Sequence, residues 1–155
     1  MPVGRSLGRK GLTLIELLSV LTIIGTLAGI AVPKLRETIY VAQVAKAIGD
    51  IRVISQEIDA VVAGGGALPA SLAAIGRGGW LDPWGNPYQF LPFPAGKGVP
   101  GAARKDRFLV PINSEYDLYS MGRDGSSVPP LTGASARDDI VRANDGGFIG
   151  LASKY

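Results

Sequence analysis

The sequence predicts an α+β fold: a long N-terminal helix, membrane-spanning in its first half, packed against a small antiparallel β-sheet with irregular loops. Three observations predict it. An apolar run from Leu12 to Val32 is long enough to cross a bilayer. An apolar stripe at helical spacing then continues to Val61. From Gly64 onward the chain becomes rich in Gly and Pro, with short β-rich runs between turns, which suits a compact, loop-heavy head.

The N-terminal element comes first. As a helix, Leu12 to Val32 would span about 31 Å, close to the hydrocarbon thickness of a bilayer. The only acids and bases before Pro33 are Arg5, Arg9, Lys10 and Glu16. The three cations precede Gly11 and read as a signal that keeps the N-terminus cytoplasmic. Once they are set aside, thirteen basic residues balance thirteen acidic ones, so the formal charge of +3 belongs to this segment. A neutral body with scattered charges lacks the basic stripe that phosphate binding needs, and no nucleic-acid partner is expected.

Three readings of the segment compete on physical grounds: a plain signal anchor, a secretory signal removed near Gly29 and Ala31, and a leader cut after Gly11 with the helix retained. Glu16 bears on the choice. A carboxylate costs roughly 2.5–3.5 kcal/mol at the centre of a spanning helix, less near its edge, and neither of the first two readings uses it. Cleavage between Gly11 and Leu12 would create an α-amino group one helical turn from Glu16, within one chain or between stacked neighbours. Such an ion pair sets register more than stability. An edge carboxylate solvated by headgroups is the plainer alternative.

Beyond Pro33, which removes a backbone donor and favours a kink, Val44, Ile48, Ile51, Ile54, Ile58 and Val61 recur at steps of three and four. They form one apolar stripe that needs a domain on one side. The run Gly64 to Gly66 stops the helix. From Leu12 to Val62 the helix would be about 75 Å long. Segments follow as a leader (1–11), a spanning helix (12–32), its amphipathic continuation (33–63) and a head (64–155).

In the head, "SLAAIG" (71–76) supports a short helical turn, and "DPWG" (82–85) is turn chemistry anchored by Trp84. Gln89 to Leu91 begins a strand. The basic "RKDR" (104–107) reads as an exposed loop. "RFLVPI" (107–112) and "EYDLYSM" (115–121) read as an antiparallel pair turning at Asn113-Ser114, within a sheet of two to four strands. Enzymatic activity is not expected. Cys and His are absent, as are a GxSxG elbow and a phosphate-binding glycine loop, which leaves only scattered carboxylates for metal-assisted hydrolysis.

The C-terminal third holds Asp124, Asp138, Asp139 and Asp145 among Gly, Ser and Pro. Hard cations take about six to eight oxygens from carboxylates and backbone carbonyls, and a Gly-rich loop with several Asp residues offers both. The spacing is not that of an EF-hand, and Asp is also an ordinary turn residue. Both readings stay open on the residues alone.

"KGLTLIELLSVLTIIGTLAGIAVP" resembles the leader and N-terminal helix of type IV pilins and type II secretion pseudopilins. "LDPWGNPYQF", "EYDLYSMGRDG" and "DDI", in that order, narrow the resemblance to the major pseudopilins of type II secretion, the general secretion pathway protein G family. The resemblance implies a type IV pilin-like fold, cleavage by a prepilin peptidase between Gly11 and Leu12, and N-methylation of Leu12, where the family usually has Phe. It implies an assembly role for Glu16 and a helix proline at Pro33.

It also implies a structural calcium ion held by Asp124, Asp138 and Asp139 with the Met121 carbonyl, although the insert "SSVPPLTGASAR" lengthens the ring between them. That ion is expected to pin the loop and the C-terminal "GGFIG" against the sheet. The implied subunit sits in the bacterial inner membrane with a periplasmic head. It then polymerises with its own copies into a pseudopilus that drives folded proteins across the outer membrane. An inner-membrane assembly platform and minor pseudopilins are the other implied partners. A type IV pilus subunit for adhesion, motility or DNA uptake is the alternative, which the absence of a cysteine-closed loop disfavours. The stretch from Phe93 to Ile112 exceeds the family's usual connection, so partner contacts there do not transfer.

Overall fold

The computed structural model describes residues 11–93, 96 and 98–155. The leader cations Arg5, Arg9 and Lys10 lie outside the described residues. The chain forms two compact units that meet between Ile39 and Tyr40.

Helix α1 (Leu14–Ala63) is assigned without a break, Pro33 included. Within the first unit, Gly11 to Ile39 are all exposed, and the apolar window is long enough to cross a membrane. Its few hydroxyls satisfy themselves. Ser19 donates to the Glu16 carbonyl at 2.9 Å, Thr22 to the Leu18 carbonyl at 2.8 Å and Thr26 to the Ile23 carbonyl at 2.8 Å. These bonds leave no hydroxyl hydrogen unpaired, which is what a hydrocarbon environment demands. A face apolar all round is stable only in lipid or against other helices.

In the second unit the amphipathic part of α1 buries Ala47, Ile51, Ile54 and Ile58 fully, with Val44 and Ile48 partly covered. The predicted stripe ends one turn early, because Val61 is 39% exposed. The head covers that last turn on the side of Val62, which is half-buried beside Leu68 and Phe93, and the chain leaves it through Gly65 at φ +82°. Gly66 N–H donates back to the Val61 carbonyl at 3.0 Å, closing the helix with its left-handed glycine.

Four strands form an antiparallel meander in chain order: β1 (Gln89–Pro92), β2 (Tyr116–Ser120), β3 (Ile140–Ala143) and β4 (Phe148–Leu151). β1 pairs Phe90 with Leu118, β2 pairs Tyr119 with Val141, and β3 pairs Arg142 with Ile149. The two-residue period sorts the side chains. Tyr116, Leu118 and Ile140 join the α1 core, along with Leu72 and Tyr88. Val141 and Ala143 face the other way, into a second cluster with Ile112, Leu131 and Ala152. The sheet is therefore covered on both faces, by α1 and by the long loops.

Several elements match expectation: the helical turn at Leu72–Ile75, the start of β1, and the turn in which Gly85 N–H donates to the Asp82 carbonyl at 3.0 Å. Three differ. Residues 107–112 form no strand beside β2. Leu109 and Asp106 instead bond to each other through their backbones, and Ile112 N–H donates to the Arg104 carbonyl at 3.2 Å. Pro111 has no N–H to offer a ladder, and β1 and β3 take the two edges of β2. Where the "GGFIG" segment is expected to be pinned against the sheet, its residues Phe148 to Gly150 are instead part of the sheet, as β4, after a turn that includes Gly146. Finally, Arg104 is not on an exposed loop: it is 2% exposed.

Candidate functional site

At the N-terminal end, Gly11 and Leu12 precede the helix and are exposed, so the bond between them is open to a protease. Thr13 and Glu16 then form a reciprocal cap. The Thr13 N–H and hydroxyl each donate to Glu16 Oε2 at 2.7 Å, and the Glu16 N–H donates to Thr13 Oγ1 at 3.3 Å. This is a capping box, in which a carboxylate at the third helical position satisfies donors at the helix start and faces the positive end of the macrodipole. The sequence pattern Thr-x-x-Glu carries this signal, which the reading of Glu16 as an amine partner overlooked. The carboxylate thus has a partner before any cleavage: Thr13, the residue next to Leu12, where the new amino group would arise.

The loop after β2 is built around two tight contacts. Gly122 has φ +66°, and a Cβ there would run into the carbonyl and carboxylate of Asp138. Asp138 Oδ2 accepts the N–H groups of Arg123 at 2.8 Å and Asp124 at 3.0 Å. Asp124 Oδ1 accepts the N–H of Ser126 at 2.8 Å. Asn86 donates to the Gly122 carbonyl at 3.0 Å, and the Ser120 hydroxyl donates to Asp82 Oδ2 at 2.6 Å, which ties this loop to the "DPWGN" turn. Met121 is half-buried beside it.

Asp139 turns inward from its neighbour Asp138 and is fully buried. Its Oδ2 accepts from the guanidinium of Arg104 and from the Ser127 hydroxyl at 2.5 Å. Arg104 Nη1 also donates to Ser127 Oγ and to the Val128 carbonyl, both at 2.6 Å. The guanidinium carbon lies 4.2 Å from the centre of the Tyr119 ring, a cation–π stack. The backbone N–H of Arg104 donates to Asp117 Oδ2 at 2.6 Å, on the same sheet face. Asn113 bridges Asp117 Oδ1 and the Arg142 carbonyl, both at 2.9 Å, while the Arg142 guanidinium stacks 4.1 Å from the Tyr116 ring on the helix side.

Burial pushes the Asp139 carboxyl up to about 6, against the opposing pull of Ser127 and the Arg104 charge. Burial likewise raises Asp117, while the Arg104 N–H and the Asn113 amide counter it. Both carboxylates are held by donors rather than left bare.

The set Asp124, Asp138, Asp139 and Met121 does not fit a calcium ion. Among the described residues, no three acidic groups converge as a metal site would require. Asp124 and Asp138 spend the oxygens named above on backbone N–H groups, and Asp139 faces a guanidinium. Asp139 Oδ1 is buried without a partner among the described residues, the one feature that favours a further cation. It is a single oxygen, however, and the neighbouring hard donors, Ser127 Oγ and the Val128 carbonyl, already serve Arg104.

Comparison with known proteins bears on both ends. Residues 7–32 match the family model described as the prokaryotic N-terminal methylation motif. The type II secretion system core protein G of Pseudomonas aeruginosa is 31% identical over 138 residues, covering 76% of this chain and 85% of that protein. The protein of the same name from Aeromonas hydrophila is 28% identical over 157 residues, covering 88% and 93% of the two chains. That from Vibrio cholerae is 28% identical over 146 residues, covering 81% and 88%. No solved structure matches at a significant level. A methylation motif at the capped helix and extended similarity through the head together identify the protein as a pseudopilin, and the chain belongs to the type II secretion system core protein G family.

Proposed function

We propose that this pseudopilin is the repeating subunit of a periplasmic secretion fibre. It is made with a cytoplasmic leader, cut after Gly11 by a prepilin peptidase and methylated at Leu12. The apolar half of α1 holds it in the inner membrane until an assembly platform lifts it into a helical homopolymer, with minor pseudopilins as further partners. Growth of the fibre helps move folded proteins through the outer membrane.

The observation that supports polymerisation through the helix is the exposure of every residue from Gly11 to Ile39, with Glu16 as the sole charge ahead of Lys34. From Leu17 to Val32 that surface carries no charge and is largely apolar, so exchanging lipid for the same surface on neighbouring copies costs little hydrophobic free energy. One carboxylate near the end then supplies the polar feature that sets stagger. A surface pilus would use the same helix, but the relatives' names favour secretion.

Mass spectrometry of the protein extracted from membranes tests the first steps. The expected mature chain begins at Leu12 and carries one added methyl group, and Gly11→Ala leaves the leader in place. A mature chain beginning beyond Ala31 would reject the reading, because the assembly helix would be gone.

A further inference from the structure

We propose that Arg104 is the built-in cation of this head, closing the C-terminal loops in place of a bound divalent ion. Four separate segments meet at this one residue. Its backbone N–H reaches Asp117 on β2, and its carbonyl accepts from Ile112. Its guanidinium holds Asp139 at the entry to β3, and Ser127 and the Val128 carbonyl in the loop between. Tyr119 closes the stack from the sheet.

The donor set around the guanidinium is all oxygen: a carboxylate, a hydroxyl and a backbone carbonyl. These are the groups a hard cation would take. Here they instead receive directional N–H bonds, which a planar guanidinium presents in a fixed fork.

Charge argues the same way. The buried ionisable groups on and around the sheet are Arg104 and Arg142 against Asp82, Asp117 and Asp139. The one carboxylate in excess, Asp82, is already taken up by the Ser120 hydroxyl and by the N–H groups of Trp84 and Asn86, so both of its oxygens are spent on donors from the chain. A buried charge is tolerated only when paired and hydrogen-bonded, and without Arg104 the Asp139 carboxylate would lose its counter-charge and keep the Ser127 hydroxyl alone. The insert that carries Arg104 is therefore part of the head's architecture, covering the outer sheet face and supplying its cation. This holds whether or not the chain polymerises.

Thermal unfolding of the full chain in detergent, followed by circular dichroism, tests the proposal. The unfolding midpoint is expected to be the same in excess EGTA and in millimolar calcium, and calorimetric titration with calcium should show no saturable one-site heat. Arg104→Met should lower the midpoint by roughly ten degrees or more, with Arg104→Lys recovering part of the loss because it keeps charge but not the fork. Ser127→Ala, which keeps the pair but removes its bridge, should lower the midpoint by a few degrees and serves if Arg104→Met does not fold. A wild-type midpoint that drops on chelation, a one-site calcium isotherm, or an Arg104→Met protein that melts with the wild type would each overturn the proposal.

Discussion

Thr13 and Glu16 cap each other: the threonine hydroxyl donates to the Glu16 carboxylate at 2.7 Å, and the Glu16 N–H donates back to that hydroxyl at 3.3 Å. The carboxylate is thereby oriented at the helix start, facing the positive end of the macrodipole. On the proposed function it then pairs with a new amino group at Leu12, either its own or a neighbour's. Glu16→Ala is expected to be processed and to remain in the membrane, yet to disappear from the fibre fraction sheared off cells. Thr13→Ala retains the carboxylate and frees it from the hydroxyl, so its fibre yield should fall between the two. Quantitative immunoblotting of sheared and cell-bound fractions reads both, and wild-type fibre yield from Glu16→Ala would remove the carboxylate from the assembly mechanism.

Ile54 and Val61 lie on the same predicted stripe but differ in cover. Ile54 is fully buried between α1 and the sheet, whereas Val61 is 39% exposed. Ile54→Ala should destabilise the head by about 2–5 kcal/mol, the usual cost of emptying a packed core position. Val61→Ala should stay within about 1 kcal/mol, since little apolar area is withdrawn from cover. Urea unfolding of the two variants checks the contrast, and equal losses would show that Val61 is covered as fully as Ile54.

Much of this was legible in the residues, for reasons that are local. The apolar run, the helical stripe, the stop at Gly64–Gly66 and the "DPWG" turn each depend on a few neighbours in sequence, and periodicity or turn chemistry exposes them. Arg104 was not legible. In "RKDR" it looks like any exposed cation, and nothing nearby announces Asp139, 35 residues further on, or the Tyr119 ring that covers it. The segment 107–112 misled for a related reason. Its β-favouring residues argue for a strand, but Pro111 removes a donor and Ile112 spends its N–H on the Arg104 carbonyl. The calcium set shares that limit: spacing brings Asp138 and Asp139 together in sequence, while the chain sends their carboxylates to different partners.

Gly122 and Gly79 separate backbone demand from simple tolerance. Gly122 sits at φ +66° with the Asp138 carbonyl where a Cβ would stand, whereas nothing lies within 4 Å of a Cβ at Gly79. Gly122→Ala carries both a left-handed strain of about 1 kcal/mol and a backbone clash, so a loss of roughly 2 kcal/mol or more is expected. Gly79→Ala should change stability by less than about 0.5 kcal/mol. Limited proteolysis adds a local readout, because Gly122→Ala should expose the bonds around Arg123 to trypsin first. If both variants resist trypsin like the wild type, the close approach of Asp138 to the turn is not needed for the loop's order.

The last prediction concerns alkaline pH. The Tyr116 hydroxyl donates to Asp59 at 3.1 Å from a fully buried ring, and burial pushes its phenol up to about 12, with the Arg142 charge pulling the other way. Tyr88, also buried and donating to Asp50 at 2.8 Å, is raised further by burial and by that carboxylate. In the unfolded chain both phenols release their protons near pH 10. Above that pH the unfolded state binds fewer protons than the folded one, so stability falls as pH rises. The contribution is fully present below about pH 10. It is lost at about 1.4 kcal/mol per pH unit for each tyrosine until the folded form also titrates, near 12 for Tyr116. Tyr116→Phe has no proton to lose there, so its stability should decline less steeply by about one proton's slope between about pH 10 and pH 11.5, even though its baseline is lower for want of the Asp59 bond. Urea midpoints measured across that interval decide the matter. Parallel slopes for wild type and Tyr116→Phe would mean that the Tyr116 phenol titrates alike in the folded and unfolded chain, and that burial and the Asp59 bond do not hold its proton.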